Sequence, residues 1–298
     1  MAQTVIPFGS AQAVKKWGPG LSVMTDREAY FTRKFEGEGK NNVIEVKKDL
    51  ESDAGDTVVF DLAIELKEAP VEGDNRVSGT GENMKFFQDE VRIDQVRKEV
   101  SAGGRMTRKR TIHNLRQNGM DLQKRYWAKF MDEVRFIYLS GARGHNEGYI
   151  PPLGWTGRAG NPIQPPDAGH IIRGGYRASS ALITVGDIMT RVLVEGITTR
   201  VKMMREQDPN NADMVPVTIE GEPHFVLLMN PNQAHDLRVS DTDGWIKMQT
   251  AAAAAEGQKN PLFKGKLGMI NNVILHEHES VVRFTDYGAG ANIQAARA

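Results

Sequence analysis

Few side chains in this chain are placed to do chemistry, and the most suggestive are His276-Glu277-His278. Alternate residues of a strand point to one face, so the two imidazoles would stand side by side as metal ligands do. No third ligand lies at useful spacing, and the His-Glu-x-x-His pattern of zinc hydrolases is not met. The expectation is a solvated or hydrogen-bonded histidine pair on an edge strand, with no metal. Gly37-Glu38-Gly39-Lys40-Asn41 lacks the P-loop spacing and the Ser or Thr that must follow its lysine. Gly141-Ala142-Arg143-Gly144 follows a helical pattern rather than a strand, the wrong setting for a dinucleotide-binding turn. No Gly-x-Ser-x-Gly elbow occurs, so a catalytic triad would have to be assembled in space. The absence of cysteine removes thiol nucleophiles, thiolate metal sites and disulfides, and fits a reducing compartment. No catalytic, cofactor-binding or metal residue can be named, and the chain does not read as an enzyme.

The elements that would hold a function are clearer. The 298 residues allow one large domain or two small ones, and 38 basic side chains balance 38 acidic ones. That balance argues against bulk electrostatic grip on nucleic acid. No apolar run approaches the length of a membrane span, and the first residues do not read as a signal peptide. Thr107 to Gly141 predicts one long helix of about 50 Å, with Leu115, Gly119, Leu122, Tyr126, Phe130, Val134 and Ile137 on one stripe. Met120, Trp127, Met131 and Tyr138 form a second apolar line, so two partners should cover this spine. Gly119 in the stripe suggests another backbone crossing closely. The basic run Arg105 to Arg110 opposes the helix dipole. Acidic side chains of the same or a neighbouring subunit are favoured over nucleic acid as its counter-charges.

Ahead of the spine, Thr25 and Glu28 have capping-box spacing for a short helix carrying Phe31 and Phe35. Val43 to Val46 suggest a strand. Val58, Phe60, Leu62, Ile64 and Leu66 alternate with polar residues, turn at Val71 to Asn75, and return through Val91 and Ile93 as a long hairpin. A lone hairpin needs a surface to lie on. No flanking helix supplies one, so the cover is expected from another subunit. After the spine, Gly141 to Ser180 reads as an ordered surface excursion at a subunit contact. Asp187 is expected to cap a helix striped with Met189, Leu193, Ile197, Val201 and Met204, ended by Asp208 to Asn211, that could partner the spine. His224 to Met229 reads as a buried strand, Asn230-Pro231 with Gln233 as a capped helix start, and Trp245 to Glu256 as a helix. Met269 to His278 reads as a strand pair around Asn271-Asn272, which closes a small α+β domain.

This order of arm, hairpin, spine and α+β domain resembles the Hong Kong 97-type capsid subunit. The run Val5 to Trp17, Gly55-Asp56, Ile93 to Arg97, Met229 to Pro231, Gly268 to Ile270 and Leu275 to His278 resemble tailed-phage major capsid proteins of the coliphage N-four type. The resemblance implies an α+β fold with an N-terminal arm at 1–48 and an extended loop at 49–100. It further implies a peripheral domain with the spine at 101–205 and an axial domain at 206–298. It implies a shell subunit assembled in a host cytoplasm into hexamers and pentamers around double-stranded DNA, with scaffolding, portal and decoration proteins as further partners. No cofactor and no membrane are implied. Similar proteins continue beyond Ala298, so the closing strands are expected from elsewhere or from a longer chain. An encapsulin-like compartment or another phage structural protein is the second reading, and a hydrolase with a spatially assembled site the third.

Overall fold

The computed structural model describes residues 29–285 except 40, 47–55, 64–65, 67, 85, 102, 112–113, 205–213, 220, 242–243 and 245–265. The capping pair Thr25 and Glu28, the helix at 245–256, the stop at 208–211 and Ile64 lie outside the described residues. The organising layer is a four-stranded sheet in the order β7 (Val217–Ile219), β8 (Glu222–Met229), β10 (Val273–Glu277), β9 (Lys266–Ile270). The central strands β8 and β10 run parallel, and both outer strands are antiparallel to their neighbours. Asn271 and Asn272 join β9 to β10, both at positive φ of 45° and 62°. That is the tight turn that matches strand twist, and Asn tolerates it better than most residues.

Because strand side chains alternate, each face of the sheet acquires its own helices. On one face Met229, Val273 and Leu275 pack with Val194 of α4 (Arg191–Lys202) and with Ala234 and Leu237 of α5 (Pro231–Ser240). On the other, Ile274 packs with Phe31 and Phe35, at the start and end of α1 (Tyr30–Lys34), and with Phe136 of the spine. The second helix therefore lies across the sheet from the spine and is not its partner. Its cap also differs from expectation. The Thr190 hydroxyl accepts from the Leu193 N–H at 3.2 Å. Asp187 instead holds the preceding loop. At α5 the capping box forms as the spacing predicts, with Asn230 and Gln233 reciprocating.

The spine is shorter than the pattern suggests. A short helix α2 (Arg105–Arg110) ends at extended Thr111, and α3 runs Leu115–Ser140, 26 residues or about 39 Å. The Asn114 side chain restarts it by accepting from the Gln117 N–H at 3.2 Å. Gly141 closes it at φ 70°, where a Cβ would lie 2.7 Å from the Gln164 carbonyl oxygen. The buried face is also rephased. Leu122, assigned to the core stripe, is 61% exposed; Ile137 of that stripe is buried as expected, but so are Phe136, Asp132 and Glu133, which lie outside it. Among the described residues, the fully buried side chains of α3 all lie in its C-terminal half, and the N-terminal half is only partly covered, by the segment around Lys98 and Val100.

Gly119 does not mark a backbone crossing, since its nearest neighbour would be a Val100 methyl at 3.5 Å, an ordinary contact. Gly119→Ala should therefore raise stability by about 0.5–1 kcal/mol through helix propensity, read as a higher midpoint in thermal melting.

Candidate assembly interface

The histidine pair is structural in position. β10 is a central strand, not an edge, and His276 is wholly buried beside the Phe35 ring, edge to face at 5.3 Å. His278 lies against Tyr30 and Phe136, with ring centroids 4.5 and 5.0 Å away, and its Nδ1 accepts from the Ser280 N–H. Among the described residues no group of three potential ligands converges. Gly37 ends the two-residue strand β1 (Glu36–Gly37), which pairs in parallel with β2 (Ile44–Glu45), whereas Gly141 is the left-handed C-cap of α3. No described helix is long and apolar enough to cross a membrane.

Two carboxylates that the hydrophobic pattern passes over sit in the core. Asp132 accepts from the Tyr30 N–H at 2.7 Å and the Phe31 N–H at 3.2 Å, so the spine caps α1. Arg135 lies beside Asp132 and pairs with Glu36. Glu133 accepts from the Ile150 N–H at 2.7 Å and faces Lys129 at 3.5 Å. Burial pushes both carboxyls above their ordinary range, against the pull of these donors. The sign follows: the folded state gains stability as pH falls through the raised values.

The excursion after the spine is ordered, built from a small hairpin and three single turns of 3-10 helix at 168–170, 174–176 and 180–182. Asp187 organises its far end. It accepts from Arg177 at 3.0 and 3.1 Å, from the Thr184 N–H at 2.7 Å and from the Thr184 hydroxyl at 2.9 Å. The Arg177 guanidinium, with the Thr184 N–H, holds the Asp187 carboxyl down at about 2. This contribution is complete above the ordinary value of 3.8 and is lost as pH falls through about 2. Acidification to pH 2 should open the loop at Thr184, and Asp187→Asn should open it at pH 7. Amide exchange at Thr184, corrected for its intrinsic pH dependence, reads both.

The hairpin carries a run of exposed apolar side chains on paired strands. β3 (Thr57–Ala63) pairs antiparallel with β4 (Phe86–Arg92), Val58 opposite Val91 and Phe60 opposite Asp89. The connection between them is longer and more irregular than the expected turn, with bends at Gly73-Asp74 and Ser78-Gly79. Phe60 is 38% exposed, Val91 43%, Ile93 55% and Leu66 65%. No described helix packs on Phe60 or Leu66, and Val91 and Ile93 meet the spine only across an open cleft. The expected lack of cover within the subunit is thus observed for the described part of the hairpin.

At its root the hairpin is tied to the body. β5 (Gly157–Arg158) and β6 (Asn161–Pro162) form a tight turn through Ala159 and Gly160, both at positive φ. The Asn161 side chain accepts from the Arg92 N–H and donates to the Arg92 carbonyl, both at 2.8 Å. Tyr138 of the spine donates to the Asn161 carbonyl at 2.8 Å and accepts from the Arg158 N–H at 3.0 Å. A cleft lined by Val91, Ile93, Val134, Tyr138, Arg158 and Pro162 separates root from spine. On α2, Arg105, Lys109 and Arg110 are exposed, and no ion pair to them occurs among the described residues.

The family described as phage capsid protein matches residues 5–298 of the chain. The major capsid protein of Pseudomonas phage KPP25 is 25% identical over a 282-residue alignment that covers 89% of this chain and 71% of that protein. The capsid of Ralstonia phage GP4 superposes with a TM-score of 0.85 at 52% identity, covering 97% of this chain and 80% of that one. The Cyanophage Pam1 capsid asymmetric unit matches with a TM-score of 0.63 at 19% identity, over 94% and 76% of the two chains.

Proposed function

This chain belongs to the phage capsid protein family, and from that premise we propose how its surfaces build a shell. Its fold is the α+β Hong Kong 97-like capsid fold, and it is a major capsid protein, a structural subunit of a tailed-phage head rather than an enzyme. Its place is the virion capsid, and copies of it associate into the shell.

The finer reading is that copies close into hexamers and pentamers around double-stranded DNA, the apolar hairpin face of each lying on the next. The observation that carries it is a row of apolar side chains on β3 and β4 with no cover in the subunit. A heterologous contact of this kind, in which different patches meet, generates rings. We place the chain in the coliphage N-four type on the order of segments from Val5 to His278. The divisions 1–48, 49–100, 101–205 and 206–298 follow that fold, although Val194 of α4 packs with the sheet beyond residue 206. Scaffolding, portal and decoration proteins are further partners, and assembly takes place in the host cytoplasm. The cations of α2 meet acidic side chains of a neighbouring copy in preference to the duplex, in keeping with a neutral chain. Cryo-electron microscopy of the purified chain tests this reading. Closed shells with hairpins seated on neighbours are expected, and shells whose hairpins reach solvent would overturn it.

A further inference from the structure

We propose that Asn161 sets the angle at which the hairpin leaves the body, and that assembly depends on this residue more than the fold does. The inference rests on the shell-subunit reading above and adds to it a positioning residue. Among the described residues three asparagines use a primary amide as a one-rung substitute for a strand. Asn41 exchanges two 2.7 Å hydrogen bonds with the backbone of Thr218 on edge strand β7. Asn146 donates to the Val281 carbonyl at 3.0 Å and accepts from the Arg283 N–H at 2.7 Å. Both of these join segments within the body. Asn161 joins the body to the hairpin.

Its geometry is that of a ladder extended sideways. The Ile93 N–H donates to the Asp56 carbonyl at 2.7 Å, so the neighbouring pair Thr57 and Arg92 is the one whose backbone groups point outward. Those outward groups are the ones Asn161 takes. A carboxylate in its place would lose the donor and repel the Arg92 carbonyl, and a methyl would offer neither bond. The amide is itself fixed, because the turn carrying it is held to the spine through Tyr138. Arg158 adds a bond to the Asp94 carbonyl, and Gln123 one to the Lys98 carbonyl at 2.7 Å, both on the body side of Arg92. Beyond Arg92, the side-chain hydrogen bonds described for Thr57, Glu68, Asn75, Thr80 and Glu90 all stay within the hairpin. Asn161 is therefore the outermost of these ties, and the hairpin pivots there. Two side-chain bonds make a compliant pivot, one that yields as copies in non-equivalent shell positions require.

The chain has no native cysteine, so spin labels can be placed at Glu72→Cys on the hairpin and Lys124→Cys on the spine without background. Pulsed electron resonance on unassembled full-length subunits should give one narrow distance distribution. Adding Asn161→Ala should broaden it at least two-fold, leave the melting midpoint within about 2 °C, and cut the yield of regular shells at least five-fold. Asn161→Asp, which keeps only the acceptor, should lie between. An unchanged distribution or a wild-type shell yield overturns the proposal. A midpoint lowered by more than about 5 °C also overturns it, since the amide would then simply hold the fold. Failure of the unsubstituted chain to form shells would instead remove the shell-subunit reading, while the distance measurement would still judge the pivot.

Discussion

Phe60→Lys should abolish shells while leaving the subunit folded. The substitution is chosen for its cross-strand partner. Phe60 faces Asp89 across the ladder, so a lysine there gains an opposite charge and the hairpin keeps its pairing. What it loses is the apolar face. Burying a phenylalanine is worth about 1.5–3 kcal/mol, and placing an ammonium in the same contact adds a desolvation penalty. A loss of about 3 kcal/mol per contact weakens each association roughly 150-fold, and a closed shell repeats that contact in every copy. Sedimentation velocity should show subunits or small oligomers only, and circular dichroism an unchanged melting midpoint. Normal shells would mean that the face meets solvent in the particle. A lowered midpoint would mean that it packs within its own subunit.

Phe31→Ala should have the opposite profile, a large loss of stability felt before assembly is reached. Phe31 is 1% exposed and meets Phe136 edge to face at 4.7 Å, between α1, the spine and the sheet. Truncating such a ring removes about 3–5 kcal/mol from transfer and cavity terms together. For a chain of this size that lowers the thermal midpoint by about 6–15 °C. The change also undocks α1, whose first N–H groups are held by Asp132. Tyr30 amide exchange should therefore rise with it. A midpoint within about 2 °C of wild type would show that α1 contributes little to the core.

Much of the architecture is legible in local patterns because local physics decides it. The capping box of Asn230 and Gln233, the Asn271-Asn272 turn and the alternation from Val58 to Phe60 each act over a few residues, and each is present. The failures share a different cause. Asn114 divides the spine because its side chain offers the backbone a start for α3, and hydrophobic periodicity does not register that choice. Asp132 and Glu133 are invisible to a hydrophobic pattern, because a buried carboxylate is costly and is stable only where donors meet it. Their donors, Tyr30 and Ile150, lie 102 and 17 residues away in sequence, so nothing nearby signals the compensation. Phe136 fell between the two apolar lines for the same reason, since its partners are set by α1 and the sheet. Sequence alone offers Asp187 as the cap that Thr190 supplies, because both residue types can accept from a helix N-terminus. For Asn161 the segment Gly157 to Pro162 advertises a turn, and the turn is there. Its bonds to Arg92 span 69 residues, and only the folded chain brings them together.

The hairpin is a two-stranded sheet, so both of its strands are edges. Before a neighbour arrives, each copy carries two rows of unpaired backbone groups beside an apolar face, the combination that recruits foreign strands into aggregates. The charged residues along it answer that hazard. Asp61 on one strand and Asp89, Glu90 and Arg92 on the other interrupt any flat third strand, and Asn161 already occupies the rung at Arg92. The charges that keep a newly made subunit soluble are thus interleaved with the side chains that commit it to a shell. Removing them to strengthen the contact would be expected to yield precipitate from the ribosome onward, not sturdier particles.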